Sequence, residues 1–258
     1  MTATGSSASD KRFDEAAAAQ METLLSDLGK MYQERNEALR EVVAAHQDTL
    51  YKLALAAEYK DDDTGVHIVR IGVLAEALAL ALGQSRTWSA MLRRAAPMHD
   101  IGKIGIPDAI LKKPGSFTSE ERAVMNTHSA IGGEILGQSR VPLFQMASEI
   151  ALSHHERFDG NGYPKRLAGT DIPLVGRIVA VVDFFDALSM ARCYRPAFPD
   201  ATVREMLLAE RGKAFDPAIV DMVIERWEPF VALRNRVTAS CIDFRDLIQA
   251  THQEWSLA

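Results

Sequence analysis

The sequence predicts an all-α protein, and two observations point there. Residues 13–59 contain no proline and a single glycine in a helix-favouring composition. The apolar runs that follow recur at three- and four-residue spacing between glycine and proline breaks. With 258 residues, 47% hydrophobic and 25% charged, the chain can bury one large core, or a domain with an appendage.

Residues 1–12 are mostly small and polar and are expected to be disordered. After them, Met21, Leu24, Leu28 and Met31 step by threes and fours, and Leu39, Val43, His46, Leu50 and Leu53 resume in a phase shifted by four. This pattern reads as a coiled-coil-like seam with a stutter near Arg35. Segment 13–50 is therefore expected to be a long helix, which either dimerises or folds back on its own core. His46 reads as a packing residue on that stripe.

Asp61, Asp62 and Asp63 precede a helix expected over 68–82 and closed by Gly83. Asp63 and His67 are four apart, so on one helical face they would reach one cation. An acidic cluster at a helix start is by itself ordinary dipole compensation. His67 stands out because Arg70, Ile71, Leu74 and Leu78 follow it on one apolar face, where a histidine needs a partner. Residues 85–98 are again helical in pattern and lead into His99 and Asp100, with Gly102 read as the terminator. Pro97 makes the end irregular, so that adjacent side chains can turn toward one metal or two neighbouring metals.

Residues 110–117, with Pro114 and Gly115, read as a loop. Thr118 and Glu121 form a capping box opening a helix that carries His128 and ends near Gly137. Another helix starts near Pro142 and reaches His154, His155 and Glu156. The glycine-rich stretch 159–164, ending in Tyr163 and Pro164, is an ordered loop if it is functional. Past Pro173, an apolar helix presents Asp183 and Asp186 in buried surface, which is expensive unless they are paired or metal-bound. Asp216 caps a helix at Pro217, and the tail from 229 is an amphipathic helix without catalytic signal.

No run of 18 apolar residues occurs and the N-terminus lacks a signal-peptide layout, so a cytoplasmic protein without membrane contact is expected. Cys193 and Cys241 suggest neither a disulfide framework nor a thiolate zinc site. A net charge of −6 argues against DNA binding and leaves room for a local basic pocket holding a small phosphate ligand.

Five of the seven histidines, His67, His99, His128, His154 and His155, fall in or beside these helices, together with Asp100 and Asp183. Imidazole and carboxylate without thiolate suit iron, manganese, zinc or nickel. More than four such ligands implies more than one ion. Two ions about 3.5–4 Å apart, sharing an attacking hydroxide, are the usual arrangement for phosphoester cleavage. Asp100 is the natural bridging carboxylate.

HDIGKIGIPDAILKKPG, then His128, HHERFDGNGYP and DFFDALSMARCYR occur in an order and spacing that resembles the HD-GYP domain. This domain is a branch of the HD metal-dependent phosphohydrolases. A lone His-Asp pair would be weak, but the series is specific, and it places the domain at 51–228, with 229–258 as a C-terminal helical extension. The resemblance implies an HD-type helical bundle and phosphodiesterase action on cyclic di-GMP, giving pGpG, with GMP left open as a further product. It also implies two or three divalent transition-metal ions, with iron or manganese expected. The long helix and the Ala95-Ala96-Pro97 lead-in resemble members that lie downstream of a response-regulator receiver. A homodimer through the N-terminal helix and signalling partner domains are expected on that basis.

Carried over by position, the resemblance makes His67, His99, Asp100, His128, His154, His155 and Asp183 metal ligands. Asp63 stands where some members use a longer glutamate for a third ion. Lys103 would meet a substrate phosphate, Arg192 and Arg195 would hold phosphate or guanine edges, and Tyr163 would shape the pocket. Asp186 would orient a ligand or the attacking water, giving a catalytic set of Asp100, Lys103 and Asp186. Arg166 replaces a common glycine, Cys193 a common proline and Ser189 a common threonine. Two other readings are an HD hydrolase of another nucleotide and a non-catalytic cyclic di-GMP sensor. The Gly-Tyr-Pro loop with the arginine pair weighs against the first, and the complete ligand set against the second.

Overall fold

The structure, a computed structural model, describes residues 8–60, 65–190, 196–241 and 255. Asp63, Arg192, Cys193 and Arg195 lie outside the described residues. The architecture is all-α, as the sequence predicts. Helix α1 spans Ala8–Lys60, and it begins inside the stretch read as disordered. The chain divides into two compact units, Met1–Asp48 and Thr49–Ala258. In the first, the seam residues Met21, Leu24, Leu28 and Met31 are 49–65% exposed, so this length of helix buries no core of its own.

The second unit begins with the end of α1 and continues through α2 (Val66–Ala81), α3 (Arg86–Ala95), α4 (Asp108–Leu111), α5 (Ser119–Met125) and α6 (His128–Leu136). It is completed by α7 (Pro142–Ser153), α8 (Leu174–Ser189), α9 (Asp200–Ala209), α10 (Pro217–Glu225) and α11 (Trp227–Ser240). Helix α2 is apolar all round and therefore sits in the middle, with α3, α8 and α11 packed about it. Its Ile68, Ile71, Leu74 and Leu78 are fully buried, as are Ile178, Val182 and Phe185 of α8. Each such side chain contributes about 1.5–3 kcal/mol, which offsets the cost of setting charged groups among them. Phe230, Leu233 and Val237 of α11 join this same core. Residues 229–240 thus pack as part of the bundle, although the sequence suggested an extension.

The local differences from expectation have physical causes. Helix α3, capped by the Ser85 hydroxyl, stops at Ala95, and a 3-10 turn around Pro97 (Ala96–Met98) and another at Ile101–Gly105 follow. Gly102 is not a terminator. A Cβ there would run into the His128 carbonyl oxygen and the Gly132 backbone nitrogen, so glycine is required for close packing of the turn on α6. The capping box of Thr118 and Glu121 is present, but the helix it opens breaks at Asn126 and Thr127, and α6 starts afresh at His128. The loop after Pro107 opens with the short α4. Asp216 caps α10 by accepting from Ala218 N at 2.9 Å.

Candidate metal centre

The irregular end of α3 does what its sequence suggests: it brings His99 and Asp100 together, with His99 Nε2 3.4 Å from Asp100 Oδ2. Two groups of donor atoms form around them. Asp100, His128, His154 and His155 make one, and His67, His99 and Asp183 the other, each with its ligand atoms within 4.8 Å of one another. These side chains come from α2, the α3 end, the first residue of α6, the end of α7 and the middle of α8. All seven ligand candidates within the described residues are therefore brought together.

Asp100 stands between the groups. Its Oδ1 lies 3.2 Å from His128 Nε2 and 3.5 Å from His154 Nε2, while Oδ2 faces His99. On the far side, Asp183 Oδ1 lies 3.6 Å from His67 Nε2 and 3.9 Å from His99 Nε2.

The tautomers follow from the backbone. Nδ1 of His99 is 3.0 Å from the Ala96 carbonyl, that of His128 is 2.8 Å from Met125 O, and that of His154 is 3.1 Å from Ile150 O. A carbonyl only accepts, so Nδ1 carries the proton in each ring and Nε2 presents a lone pair. The helix break before His128 supplies one of these carbonyls, since it leaves Met125 O within reach of the ring. His99 Nε2, His154 Nε2 and Asp100 Oδ1 are fully buried without a hydrogen-bond partner among the described residues. Lone pairs thus converge on one another at 3.2–3.9 Å. A proton or a metal ion between them makes that arrangement favourable, and two donors about 2.0–2.2 Å from one first-row ion would be separated by about this span. The residues fit a metal pair.

Charge tuning agrees for Asp100, His154 and His155. Burial opposes a charge on His99, whereas Asp100 and Asp183 raise it, so that a proton and a metal ion compete at its Nε2. Burial opposes ionisation of Asp100, but the Lys103 ammonium and His99 hold its carboxyl well below the usual range. Lys103 Nζ lies 2.8 Å from Asp100 Oδ2. Burial, and then the neighbouring His154, push His155 well below the usual histidine value, and burial lowers His154. Both stay neutral, as ligands must. Burial also opposes a charge on His67, yet the bond to Asp186 and the charges of Asp186, Glu58 and Asp183 raise it to about 10. The carboxylates that would keep a proton on this ring would equally favour a metal ion at Nε2, so the two compete.

Asp186 lies behind the site. It is 1% exposed, accepts from His67 Nδ1 at 2.7 Å and receives the Arg70 guanidinium from Nε and from an Nη at 2.9 Å. It thus sits behind His67, bonded to that ring and to Arg70. The sequence reading missed Arg70 as its partner, although an arginine on the buried face of α2, one turn from His67, signals a buried carboxylate. Glu156 was also missed as an anchor. It is 3% exposed and accepts from Lys165 N at 2.6 Å and Leu167 N at 3.0 Å, pinning the loop beyond Tyr163. The Tyr163 ring stacks on His155 at 4.8 Å, and so forms a wall of the site. Arg166 has φ 57°, in the left-handed region that favours glycine, which accounts for the glycine common at this position.

Comparisons with known proteins fit this geometry. Residues 37–219 match the HD domain family. The chain is 44% identical over 188 residues to the 3′3′-cGAMP-specific phosphodiesterase 2 of Vibrio cholerae, covering 73% of this chain and 36% of that protein. It is 44% identical over 187 residues to the cyclic di-GMP phosphodiesterase response regulator RpfG of Xanthomonas campestris, covering 72% and 50%. With a cyclic di-GMP phosphodiesterase of Thermotoga maritima, it shares 40% identity over 202 residues, covering 77% and 53%. The chain thus spans about a third to a half of the length of these curated relatives. Among solved structures, a cyclic GMP-AMP specific phosphodiesterase of V. cholerae superimposes with TM-score 0.55 at 18% identity, over 79% of this chain and 52% of that one. A second neighbour, an HDG"Y"P protein from Bdellovibrio bacteriovorus, gives TM-score 0.51 at 21% identity, over 63% and 51%. Both likenesses bear on the fold.

Proposed function

The chain belongs to the HD domain family, and from that premise we propose that it is a metal-dependent phosphodiesterase that opens a 3′–5′ phosphodiester of cyclic di-GMP, giving pGpG, with GMP left open as a further product. The observation that carries the reading is the Asp100 carboxylate, its Oδ1 buried, set between two groups of imidazole nitrogens turned inward.

In this reading, Asp100, His128, His154 and His155 would hold one divalent ion, and His67, His99 and Asp183 another, with Asp100 placed between the two groups. Iron or manganese is the proposed metal, and Asp63 the ligand of a third ion if there is one. When bound, the ions supply Lewis-acid charge and lower the pKa of water at the scissile phosphate. The protein does the rest. Asp186, clamped by Arg70, fixes the His67 ring so that Nε2 faces Asp183, where it would serve as a ligand. Lys103, one 3-10 turn from Asp100, adds a positive charge at the rim that would meet a phosphate oxygen. Tyr163, held against His155 by the loop that Glu156 anchors, would border the bound nucleotide. Arg192 and Arg195 remain proposed contacts to phosphate or guanine.

The proposal extends to organisation. The exposed seam of the N-terminal segment, residues 13–50, is proposed to pair with a second copy, and segment 51–228 is proposed as the catalytic region within the unit starting at Thr49. Partner signalling domains and a cytoplasmic site of action belong to the same proposal. Among the described residues, no helix is long and apolar enough to cross a membrane.

A substrate panel tests the reading. Metal-loaded protein is incubated with cyclic di-GMP, 3′3′-cGAMP and mononucleotides, and products are separated by chromatography. Linear pGpG from cyclic di-GMP supports it. Turnover of mononucleotides alone, or tight binding of cyclic di-GMP without product, would replace it with one of the other readings.

A further inference from the structure

Lys60, the last residue of α1, directs its ammonium at the turn that carries the centre of the site. Nζ donates to the carbonyls of Ile104 and Ile106, each at 2.8 Å, and lies 3.4 Å from that of Lys103. Asp108 Oδ1 lies 3.5 Å away on the same side. An ammonium has three donors, so these carbonyls use its hydrogen-bonding capacity in full. The carbonyls of Ile104 and Ile106 lie at the C-terminal end of the turn, where backbone acceptors are left over and a cation is favoured by the dipole, while that of Lys103 also accepts from Ile106 N at 3.0 Å.

The turn in question, Ile101–Gly105, joins two chemically active side chains, Asp100 and Lys103, which touch each other at 2.8 Å. Apolar packing holds only its ends, for Ile101 and Ile106 are buried while Ile104 is 46% exposed. On its inner face Gly102 lies against the α6 backbone. On its outer half, Lys60 provides the tie that the missing apolar burial does not.

We propose that Lys60 is a positioning residue for Lys103: by gathering the carbonyls of residues 103, 104 and 106, it fixes the backbone from which the Lys103 side chain reaches a substrate phosphate. The inference rests on the proposed phosphodiesterase reading for the substrate, but not for the backbone effect. Among the described residues, no hydrogen bond or ion pair joins Lys60 to the seven ligand candidates, so its loss acts on substrate handling and not on the metals.

The test compares wild type with Lys60→Met and Lys60→Arg, the second of which keeps a cationic donor. Amide hydrogen exchange in residues 101–107 is read without substrate, alongside metal content and KM and kcat for cyclic di-GMP. Lys60→Met is expected to speed exchange in this segment about tenfold and to raise KM about tenfold, with metal content and kcat within about threefold of wild type. Lys60→Arg is expected to restore both. Unchanged exchange in Lys60→Met would overturn the inference, as would faster exchange with unchanged KM, or loss of metal together with kcat. If wild type hydrolyses nothing, the phosphodiesterase reading fails while the exchange comparison still decides whether Lys60 holds the turn.

Discussion

His67 Nδ1 donates to Asp186 at 2.7 Å, and this one bond fixes which ring nitrogen of His67 faces the site. Burial opposes ionisation of Asp186, but Arg70 and His67 bring its pKa down to about 2. The carboxylate therefore stays charged throughout the working range and keeps its grip on the ring. Asp186→Asn should weaken binding of the ion held by His67, His99 and Asp183 about 10- to 100-fold, with the other ion retained. Chelator competition, counting ions per chain, checks this.

Lys103 is engaged with Asp100 at 2.8 Å and contributes no ligand atom to either donor group. Lys103→Ala is expected to keep both metals and to lower kcat/KM about 10- to 100-fold, the loss of a charged hydrogen bond to phosphate. Steady-state kinetics with metal analysis on the same preparation separate this from a metal defect.

Gly102→Ala places a methyl group against the His128 carbonyl and the Gly132 nitrogen, backbone atoms that cannot rotate aside. The expected cost is about 1–3 kcal/mol of stability, read as a fall in Tm by circular dichroism. Because the same backbone carries His128, metal affinity should fall with it.

Arg166→Gly removes a side chain from a left-handed backbone conformation at φ 57°. The strain relieved, about 1–2 kcal/mol, exceeds the added chain entropy of about 0.5–1 kcal/mol, so a small rise in Tm is expected. Differential scanning calorimetry resolves it.

The convergence of His67, His99, Asp100, His128, His154, His155 and Asp183 was legible in part: histidines and aspartates on apolar helical faces drew notice, and their role as ligands came from the resemblance to the HD-GYP domain and stands as a proposal. The all-α architecture was legible from helical periodicity, and the Thr118 and Asp216 caps from local hydrogen-bonding rules. What stayed hidden depends on contacts between distant segments. The Arg70 and Asp186 pair spans 116 positions and the Lys60 clamp 44 to Ile104; the place of Arg70 on an apolar face signals a buried carboxylate but not which one, and no local pattern announces Lys60. Gly102 was read as a terminator because glycine often ends helices, whereas here its value is the space it leaves for α6.

The most direct test of the central claim, that Asp100 joins two metal groups, is metal content and product formation measured in the same samples of anaerobically purified wild type and Asp100→Ala. Wild type should carry about two ions per chain and give linear product from cyclic di-GMP, and Asp100→Ala should lose metal and activity together. Absence of bound metal after reconstitution of wild type, or full activity in Asp100→Ala, would contradict the account.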